Sequence, residues 1–76
     1  MSSLRESVSR LLRSIRLECG LSQEKLARLS GIDRTFISGV ERNQRNITLD
    51  TLDKLLEALD VNRAQFLIRL ADMETR

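Results

Sequence analysis

The side chains that could do chemistry in this 76-residue chain are mostly hydrogen-bond donors, and one group of them shares a helical face. Arg34, Thr35 and Ser38 stand at positions i, i+1 and i+4. They face outward if Ile37 and Val40, on the same predicted helix, face a core. An arginine can donate two hydrogen bonds to guanine O6 and N7, and hydroxyl groups suit base edges or phosphates. This face is therefore a candidate for reading bases in DNA, and a merely solvated helix face is the alternative.

A second group of donors fills a polar stretch further along the chain. It consists of Asn43, Gln44, Arg45 and Asn46, and no acidic residue interrupts it. Such a stretch between apolar segments indicates a loop. Its amide and guanidinium groups can donate hydrogen bonds to the sugar-phosphate backbone of DNA, and an ordinary polar turn between two helices is the alternative.

Two further residues are candidates for contact with the DNA backbone. Gln23 begins a predicted helix, whose free N–H groups and positive dipole end attract a phosphate. Phe36 either packs on the following helix or makes loose contact with DNA, and packing is the favoured interpretation. Gly39, in the middle of the same helix, costs about 1 kcal/mol relative to alanine. Either DNA approaches closely at this glycine, or the helix simply tolerates it.

The composition excludes most catalytic and metal chemistry. The chain has no histidine and one cysteine, Cys19, which excludes a His/Cys metal site and a serine–histidine or cysteine–histidine catalytic pair. Its carboxylates are scattered and no glycine-rich phosphate loop is present, so we expect neither enzyme activity nor a cofactor. Long apolar runs and a signal peptide are absent as well, and we therefore expect a cytoplasmic protein without a membrane partner.

The charge of the chain is unevenly distributed. Residues 1–45 carry nine Lys/Arg against five Asp/Glu, a net charge of +4, whereas residues 46–76 carry four against six, a net charge of −2. The basic first half suits a polyanion such as DNA. Ordinary solvated charge on helix surfaces would also explain this distribution.

The spacing of apolar residues predicts an all-α chain that forms a single domain over residues 1–76. Glycines and polar caps divide it into five short helices. The predicted helices are Val8 to Cys19, Gln23 to Ser30, about 34 to 42, 49 to 59, and about 63 to 73. The fourth helix carries a strong apolar stripe, formed by Leu49, Leu52, Leu55, Leu56 and Leu59. Phe66, Leu67 and Leu70 of the fifth helix complete the predicted core.

The second and third helices carry the pattern of a helix-turn-helix at about residues 22–42. Two short helices cross steeply only where a small residue sits at the crossing and the joining turn tolerates a positive φ. Ala27 meets the first requirement and Gly31 the second, while Ile37 and Val40 can lock the third helix onto the core. An ordinary helical hairpin would explain two or three of these features, but not all of them within five short helices.

The segment 21–61 resembles the phage-repressor-like, or Xre-type, helix-turn-helix family. The resemblance rests on SQEKLARLSGIDRTFISGVERN and on ITLDTLDKLLEALDV. The chain length, the run DRTFISGVERNQRN and the short fifth helix are most similar to the controller (C) proteins of bacterial restriction–modification systems. That resemblance implies a compact repressor-like fold and a homodimer that binds two-fold operators near its own gene, activating at low occupancy and repressing at high. A phage-type repressor or an antitoxin with the same fold is the alternative.

The resemblance also implies roles for individual residues. The outward-facing residues of the third helix lie near its N-terminal end, which enters the major groove in this motif. Arg16 and Glu41 match an ion pair buried between the first helix and the end of the recognition helix. Glu24 matches an acidic residue that touches RNA polymerase in related phage repressors, although an acid there also simply suits the positive end of the helix dipole.

The fifth helix is apolar on more sides than one core can cover. Ala64, Ile68 and Ala71 form a second stripe beside the residues assigned to the core. A lone domain would expose this stripe to water, so a self-complementary two-fold interface is the simpler explanation. Packing against the N-terminal segment Met1 to Leu4 is the alternative.

Overall fold

The computed structural model describes residues 3–75, and within that range it contains five α-helices and no strand. The helices are α1 (Leu4–Glu18), α2 (Gln23–Ser30), α3 (Arg34–Glu41), α4 (Leu49–Ala58) and α5 (Arg63–Glu74). The predicted all-α class with five helices is confirmed. The bounds of α2 agree with the prediction at both ends, and those of α3 to α5 agree to within one residue.

Each helix begins at a polar side chain that accepts a hydrogen bond from a backbone N–H of the first turn. These N-caps are Ser3, Ser22, Asp33, Thr48 and Asn62. α1 starts four residues before its predicted beginning at Val8, because the Ser3 hydroxyl accepts from the Glu6 N–H at 3.1 Å. The spacing of Ser3 and Glu6 is that of a capping box, a signal that the apolar spacing behind the prediction does not contain.

Residues in the left-handed conformation follow α1 to α4 and keep the connections short. Gly31 has a φ of 74° at the end of α2, and Gly20 has a φ of 70° after α1, as predicted. Asn43 and Asp60 adopt the same conformation after α3 and α4, at φ 59° and 56°. Asn and Asp tolerate this region better than other residues with side chains. The turn at Gly31 leaves only three residues between α2 and α3.

The core lies where all five helices meet. α1 packs on α3 and α5, and α2 packs on α3 and α4. The largest side chains that are fully buried are Phe66, Ile37 and Val40. The other buried apolar residues are Val8, Leu11, Leu12, Ile15, Leu26, Leu55, Leu56 and Leu59. Burial of this apolar surface is what holds the short helices together, since helices of eight to fifteen residues are marginal on their own.

Two leucines of the predicted apolar stripes lie at the surface, and the prediction that Leu67 joins the core is wrong. Leu67 of α5 is 60% exposed and Leu49, the first residue of α4, is 81% exposed. Phe66 fills the core position of α5 at 1% exposure, and the next residue of a helix points about 100° away from it. Leu49 lines a groove between α4 and α5 together with Leu67 instead of packing inside.

Candidate DNA-binding surface

The helix-turn-helix consists of α2 and α3 joined by the turn at Gly31. Ile37 and Val40 are each 2% exposed and hold α3 against the core. At the start of α3, the Asp33 carboxylate accepts a hydrogen bond of 2.7 Å from the Thr35 N–H. The helix is therefore anchored on its inner face and capped at the end that carries the candidate base-reading residues.

The candidate base-reading residues lie on the outer face of α3. Arg34 and Thr35 are exposed and Ser38 is half-buried, so side chains at the beginning of the helix can reach a groove of DNA. Phe36 is half-buried and packs against the core. Contact of any of these residues with DNA stays a prediction.

Arg16 of α1 and Glu41 at the end of α3 form a bidentate ion pair in the interior. Arg16 Nε donates to Glu41 Oε2 at 2.7 Å, and Arg16 Nη2 donates to Glu41 Oε1 at 2.9 Å. The two side chains are 9% and 5% exposed. Arg16 Nη1 also donates to the Leu21 carbonyl at 2.7 Å. The hydrogen bond with Glu41 raises the pKa of Arg16 above its usual value, so this buried guanidinium stays charged.

Gln23, the first residue of α2, is attached to the same ion pair. Its Nε2 donates to Glu41 Oε1 at 3.1 Å. The exposed Arg13 brings its Nε to within 4.0 Å of the same oxygen. A single carboxylate thus connects α1, the start of α2 and the end of α3. Contact of Gln23 with a phosphate also stays a prediction.

The α3–α4 loop, residues 42–48, leaves α3 through a tight hydrogen-bonded turn. The Gln44 N–H donates to the Gly39 carbonyl at 2.8 Å and the Asn43 N–H donates to the Val40 carbonyl at 2.9 Å. With Asn43 left-handed, this is a Schellman motif built without glycine at the left-handed position. It brings the polar residues 43–46 alongside α3, next to the candidate base-reading face.

Arg5 of α1 contacts the loop and was missed by the sequence reasoning. Its Nε donates to Asn43 Oδ1 at 3.0 Å and its Nη1 donates to Asn46 Oδ1 at 2.7 Å. The partners lie 38 and 41 residues away in the chain. No local pattern could have paired them, because the contact depends on how α1 packs against the end of α3.

The structure explains the glycine at position 39 in a way that neither sequence interpretation contained. It is buried in α3, and a Cβ built on it would lie 2.5 Å from Arg45 Cγ and 3.5 Å from Arg45 Nε. The close neighbour is therefore the Arg45 side chain of the same chain, which crosses α3 at this position. Gly39 leaves the space that lets Arg45 lie along the candidate DNA-binding surface.

The described residues contain neither a metal-binding cluster nor a membrane-spanning helix. No group of three or more His, Cys, Asp or Glu side chains among residues 3–75 could hold a metal ion. Over the same range, none of the helices combines the length and the apolar character that crossing a membrane requires.

A helix-turn-helix family model matches residues 12–66. Control protein C.SmaI of Serratia marcescens is 44% identical over 66 residues, which cover 87% of this chain and 79% of that protein. This chain belongs to the helix-turn-helix controller-protein family. Control protein C.BamHI of Bacillus amyloliquefaciens is 47% identical over 51 residues, 66% of this chain and 63% of that protein.

A solved structure of the controller-protein family has the same fold over its whole length. The wild-type restriction–modification controller protein C.Esp1396I is 41% identical, and the match covers 100% of both chains with a TM-score of 0.95. The same protein has also been solved as a tetramer in complex with its natural 35 base-pair operator, with a TM-score of 0.94 to this chain.

In this controller-family chain, replacing Gly39 with alanine should weaken DNA binding without weakening the fold. Alanine stabilises a helix interior by about 1 kcal/mol relative to glycine, whereas its Cβ displaces the Arg45 side chain. We expect an equal or higher melting temperature, together with a loss of roughly fivefold in affinity for operator and random DNA alike, about one hydrogen bond. In an Arg45→Ala background the same change should have no further effect on affinity. A full additional loss there would show that Gly39 acts on something other than Arg45.

The controller-family chain carries an exposed apolar stripe along α5. Ala64, Leu67, Ile68 and Ala71 follow the spacing i, i+3, i+4 and i+7, and all four are exposed. We call these residues the outer stripe. The sequence placed Leu67 inside, and its exposure widens the predicted interface. The alternative to a dimer interface was packing of this stripe against residues 1–4. Met1 and Ser2 of that segment lie outside the described residues.

Proposed function

We propose that this chain is a sequence-specific DNA-binding transcription regulator, the controller protein of a restriction–modification system, which acts as a homodimer on a two-fold operator. The observation that carries the proposal is the exposed face of α3, which a buried bidentate ion pair and two fully buried side chains hold in place. A rigidly held donor face beside a donor-rich loop suits a polyanion with an ordered pattern of acceptors.

The proposed docking follows from the shape of the helix-turn-helix. α3 enters the major groove with Arg34, Thr35 and Ser38 toward base edges. The start of α2, with Gln23, lies on one flank of the groove, and residues 43–46 lie on the other. Both flanks offer N–H donors to phosphates. Phe36, which packs against the core, supports the flank through apolar contact with the sugar-phosphate backbone.

The outer stripe supports the homodimer in this proposal. Two recognition helices must stand about 34 Å apart to enter successive major grooves on one side of DNA, and a two-fold interface through α5 provides two copies with that symmetry. The likeness to C.Esp1396I, whose structure contains a tetramer on its operator, supports a two-fold operator here. A regulator that acts on chromosomal or plasmid DNA of a bacterium works in the cytoplasm.

Activation needs a contact with the transcription machinery in addition to DNA binding. Glu24 is exposed on the first turn of α2, beside the residue that we place next to the phosphates. This position leaves its carboxylate free to meet RNA polymerase at the edge of the operator, and this role stays a prediction.

The function is tested by separating base reading from phosphate binding. Arg34→Ala should cost about 1–3 kcal/mol on the operator and much less on random DNA, because it removes a bidentate base contact. Arg45→Ala should weaken both complexes alike and lower the slope of log affinity against log salt by about 1, because it removes a phosphate contact. Both variants are titrated on both DNAs at several salt concentrations.

Arg10→Ala serves as the control for total charge, since Arg10 is exposed on α1 and pairs with Glu6 at 3.1 Å. We expect Arg10→Ala to change the ratio of operator to random-DNA affinity much less than Arg34→Ala does, and the salt slope much less than Arg45→Ala does. An equal loss on both DNAs for Arg34→Ala would contradict the assignment of α3 as the reading helix.

A further inference from the structure

Arg5 holds the α3–α4 loop at two points with one guanidinium group. It donates to the side-chain oxygen of Asn43 at 3.0 Å and to that of Asn46 at 2.7 Å. Asn43 is the left-handed residue that ends α3, and Asn46 lies three residues further along. A planar guanidinium is suited to this task, because its N–H groups leave the group in fixed directions. The first turn of α1 is thereby joined to both ends of the segment 43–46.

The two hydrogen bonds also determine which way the asparagine amides face. An amide has one acceptor oxygen and one NH₂ donor group, and both oxygens point toward Arg5. The NH₂ groups consequently point away from it. Donors that are aligned before binding lose less conformational freedom when they meet a phosphate.

We propose that Arg5 is a positioning residue for the DNA-backbone contact of the α3–α4 loop, acting through Asn43 and Asn46. The proposal rests on the proposed function, because it names how one flank of the DNA-binding surface is prepared. Arg5 turns the amide donors of the loop outward and keeps the segment that carries Arg45 in one conformation alongside α3. The contact connects α1, which lies outside the helix-turn-helix, to the binding surface.

The test compares three variants that remove this contact in different ways. Arg5→Lys keeps the positive charge but cannot present two N–H groups in the geometry of the guanidinium fork. Asn43→Gly removes one acceptor and keeps the left-handed turn, which glycine adopts readily. Asn46→Ala removes the other acceptor. Arg10→Lys, on the same helix, is the matched control.

Affinity is measured by fluorescence anisotropy on a duplex from the native upstream region and on a random duplex of equal length, at several salt concentrations. Arg5→Lys should weaken binding to both duplexes about tenfold, roughly the effect of one to two hydrogen bonds, and should not lower the salt slope by more than Arg45→Ala does. The Asn43→Gly/Asn46→Ala double variant also removes the two amide donors, so it should lose at least as large a factor. Adding Arg5→Lys to it should cost nothing more. The proposal would be overturned if the affinity losses of Arg5→Lys and of the double variant multiplied in the triple variant. It would also be overturned if Arg5→Lys bound DNA with wild-type affinity.

A second measurement needs no DNA and separates this proposal from the proposed function. The side-chain NH₂ resonances of Asn43 and Asn46 in the free protein should move in Arg5→Lys and stay in place in Arg10→Lys. Exchange of the Asn43 and Gln44 amides, which donate to carbonyls of α3, should accelerate in Arg5→Lys. Unchanged resonances would show that the contact is not made in solution. If the wild-type chain bound no DNA while the resonances moved, the proposed function would fail and the contact itself would stand.

Discussion

Replacing Glu41 with alanine is expected to destabilise the fold by about 3–5 kcal/mol, as removal of one partner of a buried ion pair does. Arg16 would keep its charge, because its pKa is raised by Glu41 and lies far above neutral even without that partner. Its guanidinium would then be buried with only the Leu21 carbonyl as partner, and Gln23 would lose its acceptor. A domain of this size has a total stability on the order of 5 kcal/mol. The remaining stability would be about 0–2 kcal/mol, so thermal melts should show a strongly lowered midpoint, with unfolding already measurable near room temperature.

The chain contains a matched control for this experiment. Glu18 and Arg69 also form a bidentate pair, at 3.0 and 2.8 Å, but on the surface. Arg69 lowers the pKa of Glu18 through that hydrogen bond, yet solvent screens such a pair, and Glu18→Ala should leave the melting midpoint nearly unchanged. A joint Arg16→Met/Glu41→Leu replacement should be less harmful than Glu41→Ala, because it leaves no unpaired charge. An unchanged midpoint for Glu41→Ala would contradict a structural role for the pair.

Replacing Ile68 with aspartate is expected to give a folded monomer that has lost most of its affinity for the operator. Ile68 is 67% exposed in the single chain, so an aspartate there should leave the fold intact. In a two-fold interface through the outer stripe, each copy would bury a charge against the other. Loss of the dimer removes the advantage of binding two half-sites together, about 10²- to 10⁴-fold. Sedimentation would measure the oligomeric state, and titration on the operator would measure the loss.

Two companion variants locate the interface. Leu67→Asp should have the same effect, since Leu67 belongs to the outer stripe and not to the core. Leu17→Asp is the control, because Leu17 is 53% exposed on α1, outside α4 and α5. A dimer that survives both α5 substitutions would place the interface on another surface of the molecule.

The sequence by itself determined most of the helix bounds and the outward face of α3. Caps and glycines act within one or two helical turns, so the sequence alone reveals them. Local signals of this kind are the N-caps Ser22 and Asp33 and the left-handed Gly31. The outward face of α3 could be predicted in the same way. Once Ile37 and Val40 are buried, helical spacing fixes which residues point outward. The Arg16–Glu41 pair, 25 residues apart, could be anticipated only through family resemblance.

Contacts between distant segments were decided by the tertiary structure alone. Apolar spacing on α5 could not assign Leu67 to the core or to the surface. Leu67 can continue either the core stripe of Phe66 and Leu70 or the outer stripe that contains Ile68, so both assignments agree with the sequence. The space at Gly39 is taken by Arg45, and the loop asparagines are held by Arg5 from 38 and 41 residues away. The physical reason is the range of the interactions. Caps and helical spacing depend on neighbours within a few residues, whereas these contacts exist only after α1, α3 and α5 have packed on one core.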